Sequence, residues 1–326
     1  MSLKISRVLV TGGAGFMGSH LVDRLMVDGK NVTVLDNLSN GSLKNLERWV
    51  GNERFKFIKG DLKKLRNAEK AVKGNELVFH LAANPEVHVG ETDPSIHFQE
   101  NLVATFNLLQ AMRKCASAKT FVFASTSTVY GEAEVFPTPE DYGPSIPIST
   151  YGASKLGCEA IAFSYAHTFG LHTLILRVAN VVGSRATHGV IIDFIKKLET
   201  NPRRLEILGD GTQKKSYLHI EDCVNAILHV THQFLEAKKK IDVYNVSSVD
   251  QIEVKRIAEI VAEEMGLRDV EFIFTGGVEG GRGWLGDVKI MHLSIDKLMK
   301  TGWKPKYDSE QAVKLAVKAI LKRSEY

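Results

Sequence analysis

The stretch LVTGGAGFMGSHLV, residues 9–22, places a glycine-rich turn between an apolar run and a segment with helical spacing. Gly12, Gly15 and Gly18 recur at every third position, and Gly13-x-Gly15-x-x-Gly18 fits the pattern G-x-G-x-x-G. Glycines at such a turn let backbone N–H groups approach a pyrophosphate, which then faces the N-terminus of the following helix. The stretch therefore predicts a strand, a dinucleotide-binding turn and a helix.

An acidic residue follows the glycines at the distance that such a turn requires, about 20 residues on. Asp36 ends the apolar run NVTVLDN, residues 31–37. A carboxylate at this point accepts hydrogen bonds from both ribose hydroxyls of an adenosine. It would repel a 2′-phosphate, and no arginine is adjacent, so the sequence favours NAD over NADP. The alternative is a glycine turn with an unrelated surface aspartate.

Apolar runs alternate with helical patterns as far as residue 180. The runs that predict strands are 7–12, 31–37, 55–62, 76–83, 119–131 and 171–180, and helices are predicted at 18–29, 95–114 and 151–169. On the first helix, Leu21, Leu25 and Met26 lie on one side. This alternation favours an α/β fold, in which a parallel sheet is covered by helices on both faces.

The pattern changes beyond residue 180. Glycine, charge and short helices are predicted for 183–235, followed by a strand at 242–248, a helix at 253–265, a glycine-rich loop at 276–286 and a last helix at 309–322. We therefore predict a domain over residues 1–180, joined by the strand near 242–248, and a smaller lobe over residues 181–326.

Composition excludes several classes of protein. The 326 residues are 44% hydrophobic and carry 42 basic against 38 acidic side chains, which is ordinary for a soluble globular chain. The longest basic run, Lys238–Lys240, is more typical of a solvated loop than of a nucleic-acid surface, and no apolar run approaches a membrane span. Three scattered cysteines without CxxC spacing, and histidines without HExxH spacing, indicate no metal site and a reducing, cytoplasmic compartment.

Seven motifs occur in order: the glycine turn, DNLSNG (36–41), GDL (60–62), HLAA (80–83), STSTVYG (125–131), YGASK (151–155) and RVANVVG (177–183). Together they resemble the extended short-chain dehydrogenase/reductase family, and within it the nucleotide-sugar epimerases of the UDP-glucose 4-epimerase type. The resemblance runs from about residue 6 to 320. It implies a Rossmann-type, doubly wound parallel sheet with a smaller α/β substrate-binding lobe, a bound NAD and a UDP-sugar substrate.

The glycine turn and the resemblance together assign a set of residues to NAD. They lie in the turn, at strand ends and around the YGASK motif: Gly12, Gly15, Phe16, Met17, Gly18, Asp36, Asn37, Asp61, Leu62, Leu81, Ala82, Ala83, Asn101, Ser125, Tyr151, Lys155 and Val178. Asp61 is placed to reach the adenine, and the small residues of HLAA permit close approach of the dinucleotide. Both segments could also be ordinary loops.

YGASK places Lys155 one helical turn beyond Tyr151. By itself the pair could be an ordinary surface contact. A nearby ammonium would lower the pKa of a tyrosine hydroxyl, which is normally about 10. The resemblance implies that Tyr151 is the base and that Lys155 maintains its acidity and holds the nicotinamide ribose. It also implies that Thr126 bonds the substrate oxygen and shuttles the proton, with Ser125 beside the nicotinamide.

The two residues after Thr126 bear on the type of reaction. Dehydratases that resemble this chain carry Asp-Glu there, and sugar-acid decarboxylases tend to carry Glu at the second position, where this chain has Ser127 and Thr128. What remains is oxidation to a 4-keto sugar, rotation of the intermediate and return of the same hydride. UDP-glucose and UDP-galactose are the favoured pair. The alternatives are another NDP-sugar epimerase or reductase, acting on a hexuronate or N-acetylhexosamine, and a non-catalytic NAD-sensing protein.

The resemblance also assigns residues to the substrate. Besides Thr126 and Tyr151, they are Asn180 and Lys215 for the diphosphate, Arg282 as a second phosphate ligand, Asp287 for the ribose, and Leu205 and Ile207 for the base. Lys215 departs from the usual arginine, and Asn84-Pro85 stands where some epimerases have a lysine. Lys215 and Arg282 could instead be solvated loop charges. The resemblance further implies a homodimer formed by helices 95–114 and 151–169, whose apolar residues could otherwise pack within one subunit.

Overall fold

The computed structural model describes residues 4–324, and these residues form two compact units that interleave along the chain. Unit 1 contains the chain up to Val129, then Thr150–Arg177 and Val224–Tyr244. Unit 2 contains Tyr130–Ser149, Val178–Cys223 and the chain from Asn245. The domain boundary at residue 180 stays a prediction, because each unit takes segments from several parts of the chain.

A seven-stranded sheet forms the centre of the described fold. Its strands are β1 (Arg7–Thr11), β2 (Asn31–Asp36), β3 (Phe55–Lys59), β4 (Leu77–His80), β5 (Thr120–Thr126), β6 (His172–Val178) and β7 (Ile241–Val246). The order across the sheet is β7-β6-β5-β4-β1-β2-β3. β1 pairs in parallel with β2 and with β4, β2 with β3, and β4 with β5. This topology confirms the predicted Rossmann-type α/β fold.

The central strands β1, β4 and β5 are buried on both faces, which explains their mainly apolar sequences. Val8, Leu9 and Val10 of β1 have no exposed surface, although they point alternately to opposite faces. The helix Phe16–Val27 covers the sheet with the face that the sequence indicated, and its Leu21 and Leu25 are fully buried. Several predicted site residues, among them Asp36, Thr126 and Val178, lie at the carboxyl ends of the strands of this sheet.

The remaining helices around the sheet are Leu65–Val72, Val89–Thr92, Ser95–His97, Ala104–Lys114, Thr150–Phe169 and Ile220–Glu236. A π-helical turn, Phe98–Val103, joins the short helix Ser95–His97 to Ala104–Lys114. Helices at 104–114 and 150–169 pack on the sheet through a core that includes Leu108, Met112 and Tyr165. The prediction of short helices over 183–235 was wrong at its end, since Ile220–Glu236 is a single helix of 17 residues.

Unit 2 is a smaller α/β lobe built from short strand pairs. Asn180–Val182 pairs with Tyr217–His219, Arg204–Ile207 with Glu271–Phe274, and Lys214–Lys215 with both Ile252–Glu253 and Ile290–Met291. Its helices are Val190–Thr200, Val254–Glu264, Asp296–Met299 and Ser309–Ser324. Phe194, Leu198, Ile257 and Val313 form part of its buried core. None of the helices described combines the length and apolarity that a membrane crossing requires.

Candidate functional site

Two glycines of the N-terminal turn lie where no side chain fits. Gly12 has a φ of +68°, and a Cβ built on it would lie 2.7 Å from the backbone nitrogen of Ala82. A Cβ on Gly18 would overlap the carbonyl oxygen of Gly12. The Gly12 N–H donates to the Leu35 carbonyl at 2.9 Å, which fixes the turn against the end of β2. The close approach therefore depends on glycine at both positions.

Gly15 lies on the open side of the same turn. A Cβ built there would meet only the Gly12 oxygen, at 3.2 Å, within a 4 Å radius. Gly15 also precedes the first residue of the helix Phe16–Val27. The first N–H groups of a helix have no partners within it and favour an anion. Open space beside these donors fits the pyrophosphate of a dinucleotide.

Asp36 is held in place by the backbone of the turn. Its Oδ2 accepts a hydrogen bond from Ala14 N at 3.0 Å, and its Oδ1 accepts one from Leu38 N at 2.8 Å. The carboxylate is buried, and burial raises the pKa of Asp36 while the two N–H donors oppose this rise. An ionised carboxylate can accept about four hydrogen bonds, so acceptor capacity remains for ribose hydroxyls.

The three predicted catalytic residues lie together at the end of β5. The Thr126 hydroxyl lies close enough to the Tyr151 phenol to favour its ionised form. Lys155 Nζ donates to the Ala124 carbonyl at 2.8 Å, and it lies 6.0 Å from the centroid of the Tyr151 ring. The same ammonium lies 4.7 Å over the ring of Phe123. The geometry joins a phenol, a relay hydroxyl and a cation, which is the set that proton transfer from an alcohol needs.

The two residues after Thr126 carry hydroxyl groups, and Thr128 turns back to contact the Thr126 side chain. Ser127–Tyr130 forms a 3₁₀ turn directly after β5, so the predicted strand 119–131 ends five residues early. Thr128 N donates to Thr126 Oγ1 at 3.2 Å, and the two threonine hydroxyls are also 3.2 Å apart. Positions 127 and 128 therefore supply no carboxylate beside Thr126.

In unit 2, a second cluster brings predicted substrate residues together. Lys215 Nζ donates to Asp287 Oδ1 at 2.5 Å, and Asp287 Oδ2 accepts from Gly283 N at 3.2 Å. Arg282 Nη2 lies 2.5 Å from Glu132 Oε2, while its buried Nε has no hydrogen-bond partner. Residues far apart in sequence thus converge into a group of two cations and two carboxylates.

Comparison with known proteins agrees with this geometry. Residues 8–247 match the sequence profile of the NAD dependent epimerase/dehydratase family. The chain belongs to that family. A UDP-glucose 4-epimerase of Mycolicibacterium smegmatis is 36% identical over 228 residues, which cover 68% of this chain and 72% of the relative.

Two solved structures share the fold of this family member over nearly its whole length. The crystal structure of a UDP-galactose 4-epimerase has a TM-score of 0.87 and 45% identity, and it covers 98% of this chain and 100% of that chain. A UDP-N-acetylglucosamine 4-epimerase of Methanobrevibacter ruminantium, solved with UDP-N-acetylmuramic acid, has a TM-score of 0.85 and 31% identity. That match covers 99% of this chain and 100% of the other. The predicted family, the NAD cofactor and the epimerase class are therefore confirmed.

The electrostatics of this epimerase differ from expectation at the phenol. Burial raises the pKa of Tyr151 to about 12, although the hydrogen bond from Thr126 opposes it. Burial also lowers the pKa of Lys155 to about 8. In the protein without NAD, burial outweighs any lowering of the phenol pKa by Lys155, whose role in the acidity of Tyr151 stays a prediction. Removal from water disfavours both charged forms, and the ammonium is bonded to a carbonyl rather than to the phenol.

A buried ion pair beneath the epimerase site was not recognised in the sequence. Ser125 Oγ donates to Glu159 Oε1 at 2.5 Å, and Arg177 Nη2 donates to Glu159 Oε2 at 2.8 Å. All three side chains are buried. Glu159 lies one helical turn beyond Lys155, which was the available signal, but its partner on β6 is distant in sequence. The network fixes the Ser125 hydroxyl, whose predicted place beside the nicotinamide stays a prediction.

Other predicted NAD residues stabilise loops in this epimerase. Asn37 Oδ1 accepts from Ser39 N at 3.0 Å, and Asp61 Oδ1 accepts from Lys63 N at 2.8 Å. Asn101 lies in the π-helical turn, where its Oδ1 accepts from Asn84 N at 2.8 Å. The other predicted cofactor residues lie beside these loops, at the glycine turn or at the end of β6: Phe16, Met17, Leu62, Leu81, Ala82, Ala83 and Val178. Their contacts with NAD stay predictions.

The residues predicted to bind the nucleotide base do not form an exposed surface in the structure. Leu205 and Ile207 are fully buried in the core of unit 2, whereas the neighbouring Leu208 is partly exposed. Asn180 Nδ2 makes a long hydrogen bond of 3.4 Å to the Ser216 carbonyl. Sequence reasoning missed Gln213, which is buried, donates to the Leu208 carbonyl at 2.8 Å and leaves its Oε1 without a partner. All substrate contacts in unit 2 stay predictions.

Proposed function

We propose that this chain interconverts UDP-glucose and UDP-galactose by epimerisation at C4. The observation that carries the proposal is the Thr126–Tyr151–Lys155 group at the end of β5 with hydroxyls, not carboxylates, at positions 127 and 128. This group provides proton transfer at a sugar hydroxyl. It provides no acid for eliminating water. The UDP-galactose and UDP-glucose 4-epimerases among the similar proteins support the same choice.

The proton is handled by the residues of unit 1. Bound NAD supplies the nicotinamide ring, which accepts a hydride and returns it. Tyr151 takes the proton of the sugar 4-hydroxyl, either directly or through the neighbouring Thr126 hydroxyl. It returns the proton when the 4-keto sugar is reduced on its other face. Lys155 contributes positive charge next to the phenol, so the reaction ends with no net oxidation.

The nucleotide is proposed to bind to the charged cluster of unit 2. Lys215 and Arg282 would bind the diphosphate, and Asp287 would bind a ribose. Each cation is now paired with a carboxylate, Lys215 with Asp287 and Arg282 with Glu132. Partners of this kind hold the cations in position and give way to the stronger charge of a diphosphate. Asn180, Leu205 and Ile207 complete the proposed set.

We propose further that the chain is a homodimer formed by its helices at 95–114 and 150–169. Phe98, Phe106 and Phe169 on these helices are 53%, 41% and 39% exposed. Large apolar side chains that are exposed together on neighbouring helices are a common feature of protein interfaces. The cytoplasmic location also stays a proposal, supported by cysteines that are free in the structure.

Product analysis with UDP-galactose tests the proposed activity. We expect UDP-glucose to form without accumulation of NADH, because the hydride returns to the sugar. Tyr151→Phe removes the proposed base and should lower kcat by about 10²–10⁴-fold while NAD remains bound. Tyr165→Phe makes the same change on the same helix and serves as the control, with kcat unchanged.

Three results would contradict this proposal. Stoichiometric NADH would indicate a net dehydrogenase, and absence of turnover with bound NAD would indicate a binding protein. Normal kcat in Tyr151→Phe would remove that residue from the chemistry. The solved UDP-N-acetylglucosamine 4-epimerase favours a second candidate substrate. A panel of UDP-hexoses, UDP-hexuronates and UDP-N-acetylhexosamines, compared by kcat/KM, decides between the candidates.

A further inference from the structure

His97 is a buried residue for which the sequence indicated only a structural or incidental role. It ends the short helix Ser95–His97 and has no exposed surface. Its Nδ1 lies 2.8 Å from the Thr150 hydroxyl, and its Nε2 lies 3.0 Å from the carbonyl oxygen of Glu86. Its ring packs against the Tyr151 ring, with centroids 5.6 Å apart and planes at 65°. One side chain therefore contacts two segments of unit 1, the chain at Glu86 and the start of the helix Thr150–Phe169.

The two hydrogen bonds use both nitrogens of the imidazole. A carbonyl oxygen can only accept, so Nε2 carries a proton and donates it to Glu86. Burial lowers the pKa of His97, which favours the neutral ring. In that form Nδ1 accepts the proton of the Thr150 hydroxyl.

Gly90 packs against the same contact between His97 and Thr150. A Cβ built on Gly90 would overlap the Thr150 hydroxyl and would lie 2.9 Å from His97 Nδ1. The short helix Val89–Thr92, which contains Gly90, therefore approaches the histidine and the start of the helix Thr150–Phe169 as closely as packing allows. Such proximity leaves the Thr150–His97 bond little freedom to rearrange.

Tyr151 needs neighbouring contacts that restrain its position. It lies in the first turn of its helix, where backbone N–H groups lack partners within the helix. A catalytic side chain must be held within about 0.5 Å of its working position by its neighbours. Thr150 immediately precedes Tyr151, so a bond to its side chain restrains the backbone of the turn, while the ring contact restrains the phenol itself.

We propose that His97 is a positioning residue for Tyr151, holding the phenol through its ring and the helix start through Thr150. This inference rests on the proposed role of Tyr151 as base. Edge-to-face aromatic pairs have a preferred geometry, so the ring contact also restrains the plane of the phenol. His97 itself transfers no proton, because both of its nitrogens are bonded to groups other than the phenol.

Two variants separate the contributions of the His97 ring and of its hydrogen bonds. His97→Phe keeps an aromatic ring and removes both hydrogen bonds, and Thr150→Val removes only the donor to Nδ1. We expect kcat with UDP-galactose to fall by roughly 10–100-fold in His97→Phe and by less in Thr150→Val. KM and NAD content should stay within about twofold, and Thr150→Ser, which keeps the hydroxyl, should recover most of the loss. His172→Phe, at the first residue of β6, is the control.

A double variant distinguishes positioning from general damage. When Tyr151 is already Phe, adding His97→Phe should leave the residual turnover unchanged, because both changes act through the phenol. The pH profile of kcat should also move in His97→Phe, since a displaced phenol ionises differently. Unchanged kcat in both single variants, or an equal further loss in the double variant, would overturn the inference. The wild-type product assay separately tests the proposed function.

Discussion

At the residue scale, Asp36 stabilises a turn and is the residue predicted to select the cofactor. Its two oxygens accept backbone hydrogen bonds from Ala14 and Leu38, so the carboxylate is fixed before any ligand binds. Ala14 is in turn fixed by Ser42 N and the Asn45 side chain, which both donate to its carbonyl. A buried negative charge in a fixed position attracts hydroxyl donors and repels a phosphate.

We predict that Asp36→Ala weakens NAD binding by roughly 10–100-fold and reduces discrimination against NADP. Hydrogen bonds to a charged group contribute about 1.5–3 kcal/mol, which corresponds to that range. Titration of both dinucleotides into cofactor-free protein measures the effect. Asp193→Ala, which removes an exposed carboxylate from the helix Val190–Thr200, is the control. Unchanged affinity for both dinucleotides would show that the adenosine ribose binds elsewhere.

Sequence and structure agree at this scale where a feature depends on neighbouring positions. The glycine spacing, Asp36 and the Tyr151–Lys155 pair could all be identified from local patterns. The raised pKa of Tyr151 could not, because it follows from burial by residues of other elements. The Glu159–Arg177 pair was not recognised either, since the position of Glu159 one turn beyond Lys155 does not reveal its partner on a strand.

At the element scale, the segment 95–114 departs from the uniform helix that its apolar spacing predicted. Asn101 lies in the π-helical turn Phe98–Val103, and its Nδ2 donates to the Ser154 hydroxyl at 3.0 Å. Its Oδ1 accepts from Asn84 N. The side chain therefore joins this turn to the catalytic helix and to the loop after β4. No pattern in the sequence distinguishes a π turn from an α turn, whereas π turns are frequent at functional sites.

We predict that Asn101→Ala lowers the free energy of unfolding by about 1–3 kcal/mol, the cost of leaving a buried donor without a partner. Urea unfolding followed by circular dichroism measures this change. Gln99→Ala, an exposed position in the same turn, should change stability by less than about 0.5 kcal/mol. Equal stability in the two variants would mean that Asn84 N finds another acceptor, and loss of NAD affinity alone would support the predicted cofactor contact.

At the scale of the whole molecule, all seven strands of the large sheet were predicted, because central strands such as β1 are apolar runs buried on both faces and the strand β3 at the sheet edge alternates apolar and charged residues. The C-terminal ends of β3 and β5 were placed three and five residues too late, and the extra residues of β5 form the 3₁₀ turn Ser127–Tyr130. The small strand pairs of unit 2 were missed because strands of two to four residues show no period. The single helix Ile220–Glu236 was not predicted because it contains Val224, Ile227 and Val230, whose β-branched side chains lower helix propensity.

The exposed aromatic residues Phe106 and Phe169 predict that the chain associates with a second copy of itself. Tyr165 packs against Phe106 and Phe169, with ring centroids 6.4 Å and 4.9 Å away, so aromatic rings connect the two helices. Phe106 and Phe169 nevertheless remain well exposed beside this contact. Covering such a surface with a second copy of the chain would remove the apolar area from water, which favours association by about 25 cal/mol per Å².

We predict that the wild-type chain is a dimer at micromolar concentration and that Phe106→Glu is a monomer. The new carboxylate would have to be buried without a partner at the interface, which costs several kcal/mol and exceeds what most dimers can lose. Sedimentation velocity over a hundredfold range of concentration measures both states. Val27→Glu places the same charge on an exposed apolar position of another helix and should leave the dimer intact. A monomeric wild type, or a Phe106→Glu variant that still sediments as a dimer, would exclude these helices as the interface.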